Sequence, residues 1–358
     1  MELRHEYSIM NENPYRVSIV PIADSAPRPL WSVMIPTYNC ASYLRETLST
    51  VLVQDPGAEF MQIEVVDDHS TLDNPEAVVK ELGGRVSFFR QPQNVGYIRN
   101  FETCLQRSRG HLIHLLHGDD CVRDGFYHRM AAAFEENPEI GAAFCRHIYM
   151  DEQGHWQTLS PLEQGRSGIL EDWLEKISSG QRLATPSVVV RRDVYENLGG
   201  FDRRMSCAGE DWEMWVRIAT HFPVWFETEP LALYRTKRSG SLTQGVAHTS
   251  RLVRDMRVAT DIVKSYLFNF LPPEKAQASL EKARAMYALW ALQTARQAYD
   301  AGDLRAALMS IREAIQCDRS ARITAQAIRL SLQGRARQSW RGLKRIKNLR
   351  SQPTENGA

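Results

Sequence analysis

Trp31-Ser-Val-Met-Ile-Pro-Thr-Tyr-Asn39 sets the grammar of this chain. An apolar run from Trp31 to Ile35 stops at Pro36 and is followed by Thr37-Tyr-Asn39, a turn and helix-cap composition. A strand ends there and a helix begins: in Ala41 to Val53 the residues Tyr43, Leu44, Leu48, Val51 and Leu52 recur at three- and four-residue intervals, one apolar stripe on a helix. The pattern then repeats. Ile63-Glu-Val-Val66 reads as a second strand ending in Asp67-Asp68, with a helix over Pro75 to Leu82. Val86 to Phe89 is a third strand, followed by a helix from Gly96 to Arg107, and His111 to Leu116 is a fourth, ending at Gly118-Asp119-Asp120. Strands separated by helical stretches predict βαβ units, hence an α/β fold with a Rossmann-like, mostly parallel sheet flanked by helices. Ligands of such sheets bind beyond the carboxyl ends of the strands, and three of these four ends carry unusual polar residues.

Beyond Arg129 the pattern loosens. It contains a strand at Pro186-Ser-Val-Val-Val190, the sequence Leu198-Gly-Gly-Phe-Asp202, a helix from Glu210 to about Ala219, and a closing Pro230-Leu-Ala-Leu-Tyr-Arg235. From Val246 to Asp318 the composition, rich in alanine, leucine, arginine and glutamine, is helical. Ala285 to Gln316, broken at Tyr299-Asp-Ala-Gly-Asp303, reads as one helix hairpin of tetratricopeptide type. A single such unit is too few for a freestanding array, so it is expected to pack on the body.

With 358 residues, 43% hydrophobic and 24% charged, the chain is of globular composition, which excludes disordered and collagen-like classes. The net charge of +1 resolves into +10 between Arg319 and Arg350, where there is no acidic residue, and −9 elsewhere. No window approaches the ~18 uninterrupted apolar residues of a membrane-spanning helix, and Met1 to Asn11 carries charges where a signal peptide has its apolar run. A cytoplasmic location is expected. Six scattered cysteines (Cys40, Cys104, Cys121, Cys145, Cys207, Cys317) have neither zinc nor disulfide spacing and read as reduced thiols.

Each candidate site has two readings when taken alone. Asp119-Asp120 after a strand and a glycine suits a hard divalent cation such as Mg2+ or Mn2+, and Gly-Asp-Asp is also an ordinary turn. Asp67 and Asp68 can cap a helix or accept a hydrogen bond from a nucleobase or ribose. Tyr38 can stack on a base or cover the sheet edge; Arg99 can answer a diphosphate or sit in solvent.

Taken together they are more specific. Pro36-Thr-Tyr-Asn39, Val65-Val-Asp-Asp-His-Ser-Thr71, Asn94-Val-Gly-Tyr-Ile-Arg-Asn100 and Leu115-Leu-His-Gly-Asp-Asp120, in this order and at these intervals, resemble the family-2 inverting glycosyltransferases of the GT-A type nucleotide-diphospho-sugar transferase fold. The resemblance spans about Trp31 to Thr243. It implies transfer of a sugar from a nucleoside-diphosphate sugar to a hydroxyl of a glycan or lipid-linked acceptor, in surface polysaccharide or glycoconjugate assembly. It also implies nucleotide binding by Pro36, Thr37, Tyr38, Asn39, Asp67, Asp68, Arg99, Asn100 and Gly118, and Mn2+ or Mg2+ on Asp119 and Asp120. Leu198 to Asp202 followed by Glu210-Asp211-Trp212 resembles the acceptor-side motif of the family. Asp211 is then the catalytic base, with Glu210 and Trp212 on the acceptor side; Trp212, Trp215 and Val216 share one helix face and also suit a core.

Two positions depart from the family pattern. His117 stands where many relatives have an aspartate, and Lys237, in Tyr234-Arg-Thr-Lys-Arg-Ser-Gly-Ser-Leu242, stands where a histidine ligand is often found, so Lys237 and Arg238 become candidates for neutralising the diphosphate. The organisation implied is an arm (1–29), a nucleotide-sugar-binding half (30–130), an acceptor-binding half (131–245), a helical extension (246–318) and a basic tail (319–358). In the tail, Trp340, Leu343, Ile346 and Leu349 interleave with basic residues at helical spacing, which suits either an anionic membrane surface at the inner face of the cytoplasmic membrane or a solvated tail. No nucleic acid is expected as a partner. A nucleotidyltransferase is disfavoured because Pro36-Thr-Tyr-Asn-Cys40 is no glycine-rich basic loop, and a dinucleotide oxidoreductase because no G-x-G-x-x-G follows a strand. A non-catalytic sugar-nucleotide-binding adaptor stays open at the level of sequence.

Overall fold

The computed structural model describes residues 13–23, 27–236, 238 and 250–333. Its first half alternates as the periodicity predicts: β1 (Trp31–Thr37), α1 (Ala41–Leu52), β2 (Met61–Asp67), α2 (Pro75–Glu81), β3 (Ser87–Arg90), α3 (Tyr97–Arg107) and β4 (Leu112–Leu115). Every residue of β1, β2 and β4 is buried because helices cover both faces. Alternate residues feed opposite cores. Val33, Ile35, Ile63 and Val65 meet Leu44, Leu48, Phe126 and Met130 on one face, whereas Met34, Val66 and Ile113 meet Phe101, Trp212 and Trp215 on the other. β1 extends two residues past its predicted end. Pro36 has no N–H to offer, but β4 has already left the ladder at that level, and the Pro36 carbonyl accepts from Gly118 N at 3.1 Å.

The remainder comprises β5 (Cys121–Val122), α4 (Phe126–Glu136), β6 (Ala142–Met150), β7 (Trp156–Leu159), β8 (Gly168–Ile169), α5 (Trp173–Ser178), β9 (Val188–Arg191), α6 (Arg192–Leu198), α7 (Glu210–Ala219) and β10 (Val224–Arg235). The sheet runs β3-β2-β1-β4-β9-β6-β10-β5, with β7 on β6 and β8 on β10. Its β3-β2-β1-β4 half is parallel. The second half is mixed, since β9 runs antiparallel to both β4 and β6, and β10 lies parallel to β6. The chain walks outward from β1 to β3 and then crosses back to place β4 on the other side of β1. That reversal opens a crevice beyond the ends of β1 and β4, the place where such sheets bind ligands.

Three helices follow: α8 (Arg251–Leu267), α9 (Pro273–Ala301) and α10 (Leu304–Cys317), with another over 321–333. The predicted break falls between α9 and α10. Gly302 takes the left-handed conformation (φ +85°) that ends a helix, and Asp303 caps the next by accepting from Ala306 N at 2.9 Å. The extension shares a core with the body: Val253, Met256, Ala259 and Tyr287 pack in the cluster that holds Trp212. The helix over 321–333 buries Ile323, Ala327 and Leu330. Trp340, Leu343, Ile346 and Leu349 of the amphipathic segment lie outside the described residues. All six cysteines are free and buried, and among the described residues no helix is long and apolar enough to cross a membrane.

Candidate active site beyond the ends of β1 and β4

The strand-end loops are knotted to one another. Asn39 sits in the left-handed region (φ +48°), which asparagine tolerates. Its side-chain carbonyl accepts from Thr71 N (2.9 Å) and Leu72 N (3.0 Å), and its own N–H donates to Ser70 Oγ at 2.8 Å. Thr37 is buried on β1, next to Tyr38, which is 43% exposed. Gly118 closes the crevice floor: a Cβ there would lie 2.7 Å from Thr37 Oγ1 and 3.0 Å from Cys40 Sγ, so a side chain would push the two strand ends apart.

The acidic pair after β2 is engaged within the protein. Asp67 has no exposed surface; its carboxylate accepts from Ser70 N–H and Oγ–H and, at 2.7 Å, from Arg90 Nε. It therefore has neither surface nor spare geometry for a nucleobase, contrary to the expectation of a base contact at this residue. Asp68 accepts from Val95 N (2.7 Å) and Gly96 N (3.0 Å), pinning the loop that opens α3. Burial raises its pKa, and these two N–H donors oppose the shift. Asn100, expected to bind nucleotide, is likewise buried; its Nδ2 donates to Val66 O at 2.8 Å and its Oδ1 accepts from Gln91. Arg99, one residue before it, is exposed.

At the β4 end, Asp119, Asp120 and His117 bring ligand atoms within 4.8 Å of one another. Arg235, at the end of β10, holds this turn from behind, donating its N–H to Asp120 Oδ1 (2.8 Å) and its Nε–H to Asp119 O (2.9 Å). Asp119 Oδ2 accepts from Arg238 Nε at 2.6 Å, and Arg238 Nη1 donates to Asn39 O at 3.2 Å. Lys237 lies outside the described residues. His117 Nδ1 is 3.2 Å from Asp120 Oδ2, and its ring stacks on Phe101. Burial works against the His117 imidazolium, but the carboxylates of Asp120, Asp119 and Asp211 outweigh it and raise its pKa. Asp120 is pushed up to about 6 by burial and by Asp119. His117 Nε2 is buried with no hydrogen-bond partner among the described residues, and the buried Asp120 Oδ2 has only the 3.2 Å contact with His117 Nδ1. An orphaned ring nitrogen beside two carboxylates is a chemically fitting set for a divalent cation.

The start of α7, after Gly209 (φ +90°), is reached from α3, whose Tyr97 lies one turn before the Phe101 that stacks on His117. Glu210 is buried and accepts from Tyr97 Oη at 2.8 Å; burial and the neighbouring Asp211 charge push its pKa up to about 8. Asp211 is half-buried. Its Oδ1 takes the Trp212 N–H (2.7 Å) and its Oδ2 the Gln181 Nε2–H (2.7 Å). Burial raises its pKa against the Trp212 N–H, the His117 charge and Gln181. Burial favours the neutral form of Glu210, and Asp211 is the more accessible carboxylate of the two. Trp212 is fully buried, its indole N–H bonded to Ile177 O at 2.7 Å, so this predicted acceptor-side residue is core and offers no face to a sugar. Gln181 and Tyr97 were not singled out from the sequence. Tyr97 stands inside the Asn94 to Asn100 motif; Gln181 sits in a stretch without a local signal.

Known proteins share this fold and part of this sequence. Residues 1–349 of S. aureus TarS in complex with UDP-GlcNAc share the fold at a TM-score of 0.63 and 17% identity, over 85% of this chain and 88% of that one. The mannosyltransferase PcManGT from Pyrobaculum calidifontis, in complex with GDP-Man and Mn2+, does so at 0.53 and 17%, over 90% of each chain. An uncharacterised glycosyltransferase of Mycoplasma pneumoniae is 31% identical over 220 residues, 60% of this chain and 70% of its own length. The family profile for glycosyl transferase family 2 matches residues 32–199, from β1 through the Asp119-Asp120 turn to the end of α6. A crevice at the sheet reversal, a carboxylate pair at the β4 end and this sequence kinship converge: the chain belongs to glycosyl transferase family 2.

Proposed function

We propose that this glycosyltransferase moves a sugar, with inversion, from a nucleoside-diphosphate sugar to a hydroxyl of a glycan or lipid-linked acceptor in surface polysaccharide or glycoconjugate assembly. The observation that carries this reading is that one helix, α3, joins the two groups of acids: Phe101 stacks on His117 beside Asp119 and Asp120, and Tyr97, one turn earlier, donates to Glu210 next to Asp211 at 2.8 Å. A leaving-group site and a proton acceptor thereby share one crevice. The nucleoside lies toward the exposed Tyr38 ring and the β1 end, and the diphosphate toward Asp119, Asp120 and Arg238, with Arg99 at the rim. The nucleotide sugars bound by TarS and PcManGT support a donor of this class, and the Mn2+ of PcManGT supports a cation.

Asp211 takes the proton of the acceptor hydroxyl as that oxygen bonds to the anomeric carbon. The bond from that carbon to the diphosphate breaks on the opposite face, and its electron pair leaves with the nucleoside diphosphate. Such general-base assistance is worth about 10² to 10⁴-fold. Asp119, Asp120 and His117 would hold the divalent ion, which supplies positive charge against the charge developing on the diphosphate. Glu210, kept neutral by burial, adds no second negative charge beside Asp211.

A thermal-shift screen of UDP-, GDP- and dTDP-sugars with and without Mn2+, followed by transfer assays, tests the proposal. A cation-dependent rise in melting temperature with one donor class, and transfer by the wild type, is expected. No stabilisation by any donor would overturn it. The basic stretch from Arg319 to Arg350 supports acceptor delivery at an anionic membrane. Co-sedimentation with anionic liposomes should be lost on truncation after Gln333; equal pelleting would dismiss the membrane role.

A further inference from the structure

The helical extension forms the wall behind the proposed base. Gln181, in the loop after α5, donates its Nε2–H to Asp211 Oδ2 at 2.7 Å, and its backbone N–H donates to Tyr287 Oη on α9 at 3.2 Å. Tyr287 is fully buried, with its ring edge-on to Trp212 at 5.7 Å between centroids. Gly180 (φ +146°) lets the loop press against α9, since a Cβ at that position would collide with Met286. A second anchor holds the segment that leads into α7. Asp255 of α8, itself buried, accepts from Ser206 N (2.6 Å), Ser206 Oγ (2.9 Å) and Cys207 N (2.8 Å), just ahead of α7. Between them, Gly209 packs against Ala259 and Met256 of α8.

We propose that Gln181 is the positioning residue for the base, and that the helical extension works through it, with Tyr287 fixing the Gln181 backbone. The inference rests on Asp211 being that base. One carboxylate oxygen is already tied to the Trp212 N–H, so the orientation of the other decides whether a lone pair meets the acceptor hydroxyl. Among the described residues, apart from Thr185 Oγ1 at a long 3.5 Å, Gln181 is the group that restrains it. The amide serves Asp211 at its own cost: Gln181 Oε1 is buried with no hydrogen-bond partner among the described residues. Rotating the amide to satisfy that oxygen would turn it against the Asp211 carboxylate. An N–H donor aimed at the ionised carboxylate also favours the form that accepts a proton.

The test uses the full-length protein and compares wild type, Gln181→Met, Tyr287→Phe, Asp211→Asn and the Gln181→Met/Asp211→Asn double variant under saturating acceptor. Methionine keeps the length of the side chain without the amide; phenylalanine keeps the packing on Trp212 without the hydroxyl. Gln181→Met should lower kcat by about 10- to 100-fold, the size of effect expected of a misplaced catalytic group, with donor KM unchanged within about twofold. Tyr287→Phe should lower kcat by less. In the Asp211→Asn background Gln181→Met should cost nothing further, because its effect passes through the carboxylate. Full activity of Asp211→Asn would sink the assignment of the base itself. Loss in Asp211→Asn with full kcat in Gln181→Met would overturn only the role of Gln181, as would losses that multiply in the double variant. A fall in kcat that tracks a raised donor KM and a lowered melting temperature would mark Gln181 as structural and overturn the inference too.

Discussion

Arg238 holds Asp119: its Nε lies 2.6 Å from Asp119 Oδ2, while its guanidinium covers the Tyr43 ring, 5.6 Å from the centroid, and reaches Asn39 O. A protein cation thus rests on the carboxylate that the proposed divalent ion would use, and within reach of an arriving diphosphate. Arg238→Ala is expected to free Asp119, so Mn2+ should bind the nucleotide-free protein several-fold tighter. Donor affinity should fall about tenfold or more, the worth of a charge-assisted hydrogen bond to phosphate. Free Mn2+ measured by EPR and donor binding measured by calorimetry read the two effects separately. Unchanged Mn2+ affinity would contradict the expected competition.

Asp211→Asn keeps the size of the side chain and the Trp212 N–H bond but removes the proton acceptor. Transfer should fall by about 10² to 10⁴-fold while donor binding stays within about twofold. The measurement is product formation against donor affinity on the same preparation; a matched loss of both would point to a binding role.

Glu210 supplies a pH signature. In the folded protein it keeps its proton up to about pH 8, whereas unfolded it loses that proton in the ordinary glutamate range, near 4.5. The stability associated with the neutral form is complete below the ordinary range and is lost as pH rises toward 8. Glu210→Gln is neutral throughout and still accepts from Tyr97. At pH 8 it should therefore gain on the order of a few kcal/mol, melting about 5 °C or more above wild type, with the gap nearly closed at pH 5. Melting curves over pH 5 to 8 decide this, and parallel curves would refute it.

Gly118→Ala should cost about 1–3 kcal/mol, because the added methyl meets Thr37 Oγ1 and Cys40 Sγ inside contact distance. Donor affinity should weaken with it, since Asp119 follows directly in the chain. Gly84→Ala, where nothing lies within 4 Å of the new methyl, serves as the control and should leave both stability and binding unchanged.

The parallel half was legible because its information is local. The short apolar runs of β1 and β2, the apolar stripe of α1 and the break between α9 and α10 are each written in consecutive residues. The nine-residue β6 is not legible in the sequence: Arg146 and His147 interrupt the apolar run of Ala142 to Met150, and only the packed structure shows it continuing as one strand. The predicted strand at Pro186 begins instead at Val188, after a 3-10 turn over Thr185–Ser187 that accommodates the proline. At the site, the carboxylates at the strand ends and at the start of α7 were found by residue type and spacing. Their division of labour was not. Asp67 and Asp68 look equivalent in sequence, yet Arg90 and Ser70 enclose one while the N–H groups of Val95 and Gly96 claim the other.

What consecutive residues determined alone is the α/β order, the place of the crevice and the identity of the acids near it, since hydrophobic period and strand-end composition act over a few residues. Tertiary structure alone decided that Trp212 is core, that Arg238 lies on Asp119, and that Gln181, Tyr287 and Asp255 stand around the base. Those pairings join positions 30 to more than 100 residues apart. They exist because burying apolar surface brings distant segments together, and the buried polar groups must then find partners among whatever that packing places beside them.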